Sequence, residues 1–144
     1  MAKDELFDID LLTHAYGGDS MGRLPDGRAV FVPGVLPGER ARIRLTEQKR
    51  SYARGTLVEL LRLSPDRVGP CCSNAAACGG CHYQHMAYPA QLRAKTAVLR
   101  DQLVRIAGIA DPQVMPTLPS SREWHYRSAV QFHLNPEGRL GFQE

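Results

Sequence analysis

The stretch Ala29-Val30-Phe31-Val32-Pro33-Gly34-Val35-Leu36-Pro37-Gly38-Glu39-Arg40-Ala41-Arg42-Ile43-Arg44-Leu45 decides the fold. Its first four residues read as a short buried strand closed by Pro33-Gly34, and Leu36-Pro37-Gly38-Glu39 reads as a turn. The cleanest alternation in the chain follows. Ala41, Ile43 and Leu45 face one way and Arg40, Arg42 and Arg44 the other, which is the period of a strand with one wet face. Working outward, Phe7, Ile9 and Leu11 alternate with Asp8 and Asp10 in the same manner, and Tyr16-Gly17-Gly18-Asp19 and Pro25-Asp26-Gly27 are turns. Lys49-Arg50 marks a hairpin tip, and Tyr52 to Leu63 is a long last strand in which Gly55 marks a bend or bulge. Five strands with Gly/Pro turns over residues 6–64 predict a small closed barrel of the OB type, ended by Ser64-Pro65-Asp66.

Such barrels often bind nucleic acid through a basic, aromatic-bearing face. Arg40, Arg42, Arg44 and Arg54, with Tyr52, are the candidates for that face. The net charge of +3 is mild but unevenly placed. Basic residues exceed acidic ones between Arg23 and Arg67, which suits a polyanion such as RNA and equally suits a solvated surface. With 144 residues, 43% hydrophobic and 23% charged, the chain is an ordinary globular one of one or two small domains. Its acidic N-terminus lacks the apolar core of a signal peptide, and no run is long enough to span a membrane. A cytoplasmic monomer without membrane contact is the expectation.

All four cysteines fall between Cys71 and Cys81, in the run Cys-Cys-Ser-Asn-Ala-Ala-Ala-Cys-Gly-Gly-Cys. Cys72, Cys78 and Cys81 stand at x5 and x2 spacing. The Cys-x-x-Cys step lets two thiolates reach one centre, and Gly79-Gly80 lets amide N–H groups approach bound sulfur. Three readings are open on the residues alone. Structural disulfides suit a secreted chain, which this one does not resemble. Zinc could take Cys78, Cys81, His82 and His85. An iron–sulfur cluster of the [4Fe–4S] kind takes Cys72, Cys78 and Cys81 as three of its four corners. Cys71 is a poor fourth, because neighbours in extended backbone point their side chains apart.

Beyond the loop, Pro89 opens a helix with an apolar stripe of Leu92, Thr96, Leu99, Leu103 and Ile106, and Gly108 is its expected stop. Residues 111–120 are Pro-rich and extended. Trp124 to Leu134 reads as a strand with Trp124 as a core anchor, Asn135-Pro136-Glu137-Gly138 as a turn, and Arg139-Leu140-Gly141-Phe142 as the start of a return strand. The fold class is therefore α+β: an OB-like barrel, a cysteine loop, one long helix and the start of a β-rich unit.

Val30 to Glu39 resembles a TRAM domain, and Cys72 to Cys81 continuing to Gln84-His85 is similar to the iron–sulfur loop of the RNA uracil-C5 methyltransferases. Trp124-His125-Tyr126-Arg127 and Leu140-Gly141-Phe142 look like the opening of that family's central domain. The resemblance implies methyl transfer from S-adenosylmethionine to C5 of a uridine in ribosomal or transfer RNA, after a thiolate adds to C6 of an unstacked base. It implies Cys72, Cys78 and Cys81 as cluster ligands, with a fourth cysteine downstream of the Gly-Phe strand, and a structural rather than redox role for the cluster. Arg127 becomes a further RNA contact. The expected units are 1–64 (TRAM barrel), 65–87 (cluster loop), 88–110 (a helix packing on a catalytic domain) and 111–144 (the beginning of a central β domain). No Gly-rich S-adenosylmethionine loop and no spare cysteine nucleophile are visible, so catalytic and S-adenosylmethionine-binding residues are assigned to none of these 144 positions. These residues alone are expected to be inactive. The alternative is a stand-alone TRAM-type RNA-binding adaptor with a zinc or iron–sulfur loop.

Overall fold

A computed structural model describes residues 5–75 and 78–142. The Ala76-Ala77 step of the cysteine run and Asp4 of the acidic start lie outside the described residues. Five strands form a closed barrel: β1 (Leu6–His14), β2 (Ser20–Arg23), β3 (Ala29–Val32), β4 (Arg40–Gln48) and β5 (Tyr52–Arg62). Their order is β1-β2-β3-β5-β4, and β1 closes onto β4. Every pairing is antiparallel except β3 with β5. The five-stranded OB-like barrel expected from the alternation is thus the observed one. Ile9, Leu11, Val30, Val32, Ala41, Ile43 and Ala53 point inward and fill it, joined by Leu24 and Val35. The register of β4 against β5 shifts between Leu45 and Glu47, opposite Gly55 and Arg54, where the bend was expected.

Helix α1 (Tyr88–Arg105) carries proline in its first turn and ends before Gly108, whose φ of 70° lets the amide of Ile109 return to the Leu103 carbonyl at 3.0 Å. The helix buries Ala90 and Ala94 against Leu36 and Met86, with Tyr83 beside them, making a second small core. Val35 and Leu36 are successive residues that serve the two cores, one each. The segment between β3 and β4 is therefore the shared wall between barrel and helix. Of the expected helix stripe, Leu92, Thr96 and Leu103 are half-buried, while Leu99 and Ile106 are exposed. Residues 111–120 run along the helix, held where the Thr117 amide donates to Thr96 Oγ1 at 3.0 Å and the Ser120 amide to the Tyr88 hydroxyl at 2.6 Å.

The expected strand from Trp124 to Leu134 is a correction. Only β6 (His133–Leu134) is strand, paired with β7 (Leu140–Gly141) across the expected turn at 135–138. Residues 124–132 have no ladder partner among the described residues, and alternation without a partner strand does not hold extended backbone in register. Trp124, expected as a core anchor, is 46% exposed for the same reason.

Candidate nucleic-acid interface and cysteine loop

The outward arginines of β4 lie opposite the acidic stripe of β1, because the pairing register places Asp8 against Arg42 and Asp10 against Arg40. Arg42 donates from Nε and Nη2 to the two oxygens of Asp8, at 2.8 and 3.0 Å, and from Nη1 to Glu59 at 3.0 Å. The hydrogen bond from Arg42 holds the Asp8 carboxyl below its ordinary pKa. Asp10 takes Arg62 at 2.8 Å and Arg40 at 3.7 Å. Arg44 is exposed further along the same row. The row read as a basic face is thus largely charge-balanced at Arg40 and Arg42.

Tyr52 and Arg54 belong to a different patch. They stand on β5 beside β3, in a register that places Phe31 against Arg54 and Ala29 against Tyr52. The rings of Phe31 and Tyr52 meet edge to face at 6.0 Å. Together with Ala15, Tyr16 and Asp19 of the β1–β2 turn, they line a surface depression of about 310 Å³. Arg54 Nη1 donates to Asp19 Oδ2 at 3.0 Å, and its Nε lies 3.7 Å from Glu47 Oε2. Arg127 is in the segment outside the barrel, its guanidinium over the Tyr126 ring at 5.8 Å. The six residues expected at RNA therefore fall into three places: a paired row, an aromatic pocket and a separate segment. The sequence marks Tyr16 and Asp19 only as turn and Phe31 only as buried strand. The parity of Phe31, opposite to that of Val30 and Val32, is the signal that turns it outward.

The cysteine loop is tied at its base. Arg67 and Met86 form an isolated antiparallel bridge, the Val68 amide donates to the His85 carbonyl at 3.0 Å, and Ala87 N to Asp66 O at 2.9 Å. Glu39, fully buried, receives Arg67 from Nε and Nη2 at 2.5 and 2.7 Å, and the amides of Leu36 at 2.8 Å and Ser64 at 3.2 Å. Burial pushes this carboxyl up, but the Arg67 bonds and the two amides outweigh it and hold it below its ordinary pKa. The Glu39–Arg67 clamp was not foreseen. Its signal is parity again, since Glu39 shares the inward face of Ala41 and Ile43. Beside the clamp, Ser20 Oγ donates to the Val35 carbonyl at 2.7 Å and lies 3.3 Å from His14 Nδ1. Burial first, and then the neighbouring His85, lowers the His14 pKa; burial first, and then Arg67, lowers that of His85. His85 Nε2 is buried and has no hydrogen-bond partner among the described residues.

At the loop's far side all four thiols are free. The Cys72 amide donates to Gln84 Oε1 at 3.3 Å, and the Gly80 amide donates to Cys78 Sγ at 3.4 Å. A Cβ on Gly80 would lie 2.9 Å from the Phe142 ring, so only glycine admits that ring against the Cys78–Cys81 step. A Cβ on Gly18 would lie 2.6 Å from His82 Cβ, and Gly18 has a φ of 100°, so the β1–β2 turn is equally close to the loop's other flank. Among the described residues no three Cys, His, Asp or Glu side chains converge on a single metal position. The donor chemistry nonetheless fits a thiolate-bound cluster: free, mostly exposed sulfurs on one loop, one of them already taking an amide N–H.

Residues 7–58 match the TRAM domain family, so the barrel is a TRAM domain. The chain around it is similar to RNA methyltransferases over most of its length. It is 36% identical over 131 residues to an uncharacterized RNA methyltransferase of Gloeobacter violaceus, covering 91% of this chain and 29% of that protein. It is 39% identical over 124 residues to the 23S rRNA (uracil(1939)-C(5))-methyltransferase RlmD of Shewanella denitrificans, covering 81% of this chain and 26% of that one. Among solved structures it resembles the Pyrococcus abyssi tRNA (uracil-54, C5)-methyltransferase crystallised with S-adenosyl-L-homocysteine, with a TM-score of 0.59, 26% identity, and coverage of 94% of this chain and 29% of that one. The chain spans less than a third of the length of these relatives. No helix among the described residues is long and apolar enough to cross a membrane.

Proposed function

We propose that this chain is the RNA-binding and cluster-bearing part of an S-adenosylmethionine-dependent RNA (uracil-C5) methyltransferase acting on ribosomal or transfer RNA. One observation carries the reading: the likeness to RNA methyltransferases extends through 131 residues, and so takes in the cysteine loop as well as the barrel. The Glu39–Arg67 clamp, which makes barrel and loop one mechanical unit, supports it. Residues 1–64 act as the RNA-binding barrel, 65–87 as the cluster loop, 88–110 as the helix that packs on a catalytic domain, and 111–144 as the opening of a central β domain.

In this reading Cys72, Cys78 and Cys81 hold three corners of a [4Fe–4S] cluster, and a cysteine following the Gly141-Phe142 strand holds the fourth. The seat of Phe142 on Gly80 favours such a delivery. When bound, the cluster supplies rigidity to an exposed loop rather than electron transfer. Tyr52 and Arg54 make RNA contacts at the aromatic pocket. Arg127 adds a phosphate contact, and Arg40, Arg42 and Arg44 contribute by exchanging their present partners for phosphate. The methyl transfer itself belongs to a catalytic domain that these residues do not form, and the binding of S-adenosylmethionine goes with it. The protein works in the cytoplasm as a monomer.

The test is binding of a short ribosomal RNA transcript, followed by fluorescence anisotropy, together with methyl incorporation from S-adenosylmethionine. The expected result is salt-sensitive binding without methyl incorporation. Absence of binding at low salt contradicts the assignment.

A further inference from the structure

We infer that the depression between β3, β5 and the β1–β2 turn is a seat for one unstacked, amino-bearing RNA base, with guanine preferred. The inference rests on the RNA-binding reading above and names what that surface takes.

Two aromatic rings face outward on neighbouring strands: Phe31 stands between the inward Val30 and Val32, and Tyr52 next to the inward Ala53. A third, Tyr16, is 79% exposed on the turn that borders them. The Arg54 guanidinium forms a further wall. Rings and a planar cation around an open depression match the flat faces of a nucleobase, and stacking of this kind is available only to a base outside a duplex. The pocket volume of about 310 Å³ is that of a small-ligand cleft rather than a groove for a helix.

Asp19 sets the preference. Its side chain lines the pocket and is 22% exposed, and Arg54 holds it in place at 3.0 Å. An ionised carboxylate only accepts hydrogen bonds, and it has about four lone-pair positions, of which the bond from Arg54 uses one. Guanine offers a paired N1–H and N2–H₂ to such an acceptor. Adenine and cytosine offer one amino group each, and uracil offers a lone N–H between two carbonyls that a carboxylate repels. A phosphate is repelled from the same seat, so the backbone passes over the rim. Gly18, in the turn that carries Tyr16 and Asp19, lies close against His82, so the cysteine loop borders this wall of the pocket.

The test compares two ten-nucleotide RNAs, oligo-U and oligo-U with one central guanosine, by fluorescence anisotropy with the 144-residue protein at several salt concentrations. The guanosine-bearing strand is expected to bind roughly tenfold tighter. Tyr16→Ala, whose exposed ring is outside both cores, is expected to weaken that strand roughly tenfold without changing the salt slope. Asp19→Asn is expected to bring the two strands to similar affinity. Equal affinity of the wild type for the two strands, or wild-type affinity in Tyr16→Ala, overturns the pocket while salt-sensitive binding leaves the RNA reading standing. Failure to bind either strand at low salt overturns both.

Discussion

At Glu39 a single carboxylate joins three parts of the chain: the turn before β4, through Leu36; the end of the barrel, through Ser64; and the root of the cysteine loop, through Arg67. Removing one partner from a buried ion pair leaves an uncompensated charge, which is far worse than never having had the pair. Arg67→Ala is therefore expected to cost about 3–5 kcal/mol in a denaturant titration. Glu39→Gln strands Arg67 but keeps a side chain that can receive the Leu36 amide, and it should cost less. Because Glu39's native pKa is depressed, the clamp contributes fully above its ordinary value of 4.5 and is lost as pH falls through the lower native value. A chain whose stability is flat between pH 5 and pH 3 would contradict this. Parity along β4 made the burial of Glu39 readable from the sequence. The partner was not readable, because Arg67 lies 28 residues away in a segment without periodicity.

Elements show the same division between local pattern and distant pairing. The barrel was legible because each strand reports its own buried face by alternation. The Arg40/Arg42/Arg44 row is legible as outward, but its charge balance at Arg40 and Arg42 is not, since that depends on β1 lying in register against β4. Asp8 and Asp10 alternate with the same period, and pairing the two strands in sequence would have exposed the match. The helix and its Gly108 stop follow from local signals, whereas the strand expected over 124–134 is reduced to His133–Leu134, the rest having no partner among the described residues. Gly18 reports how the loop is seated. Gly18→Ala puts a Cβ into His82 and strains a positive φ, so about 1–3 kcal/mol of destabilisation is expected, with faster proteolysis within 69–85 than in the rest of the chain. Unaltered protease resistance of the loop would sink that account. His14 and His85 add a pH dependence at this junction. Burial lowers both from their ordinary 6.5, so they are neutral when folded. Stability should be complete above about that pH and fall as pH drops through the lower native values, and His85→Gln should flatten the slope of the urea midpoint between pH 7 and pH 5.

The molecule as a whole is two cores sharing one wall, with the cysteine loop docked on both sides of the joint. Val35 and Leu36 serve one core each, Met86 anchors the loop's exit beside the helix, and Gly18 and Gly80 receive neighbours where a side chain would obstruct them. This arrangement gives the thiols a stiff base and leaves the sulfurs accessible. The x5/x2 spacing reads as a metal or cluster motif in the sequence, whereas no convergent ligand set forms among the described residues, so whether the loop binds a metal, and which, is a matter for direct measurement. The most direct measurement is iron, zinc and acid-labile sulfide content of the anaerobically purified protein, with its visible spectrum. Iron and sulfide in near-equal amounts, lost together in Cys78→Ser, are the expected result. One zinc per chain without sulfide would contradict the cluster and favour a zinc-bearing RNA-binding adaptor.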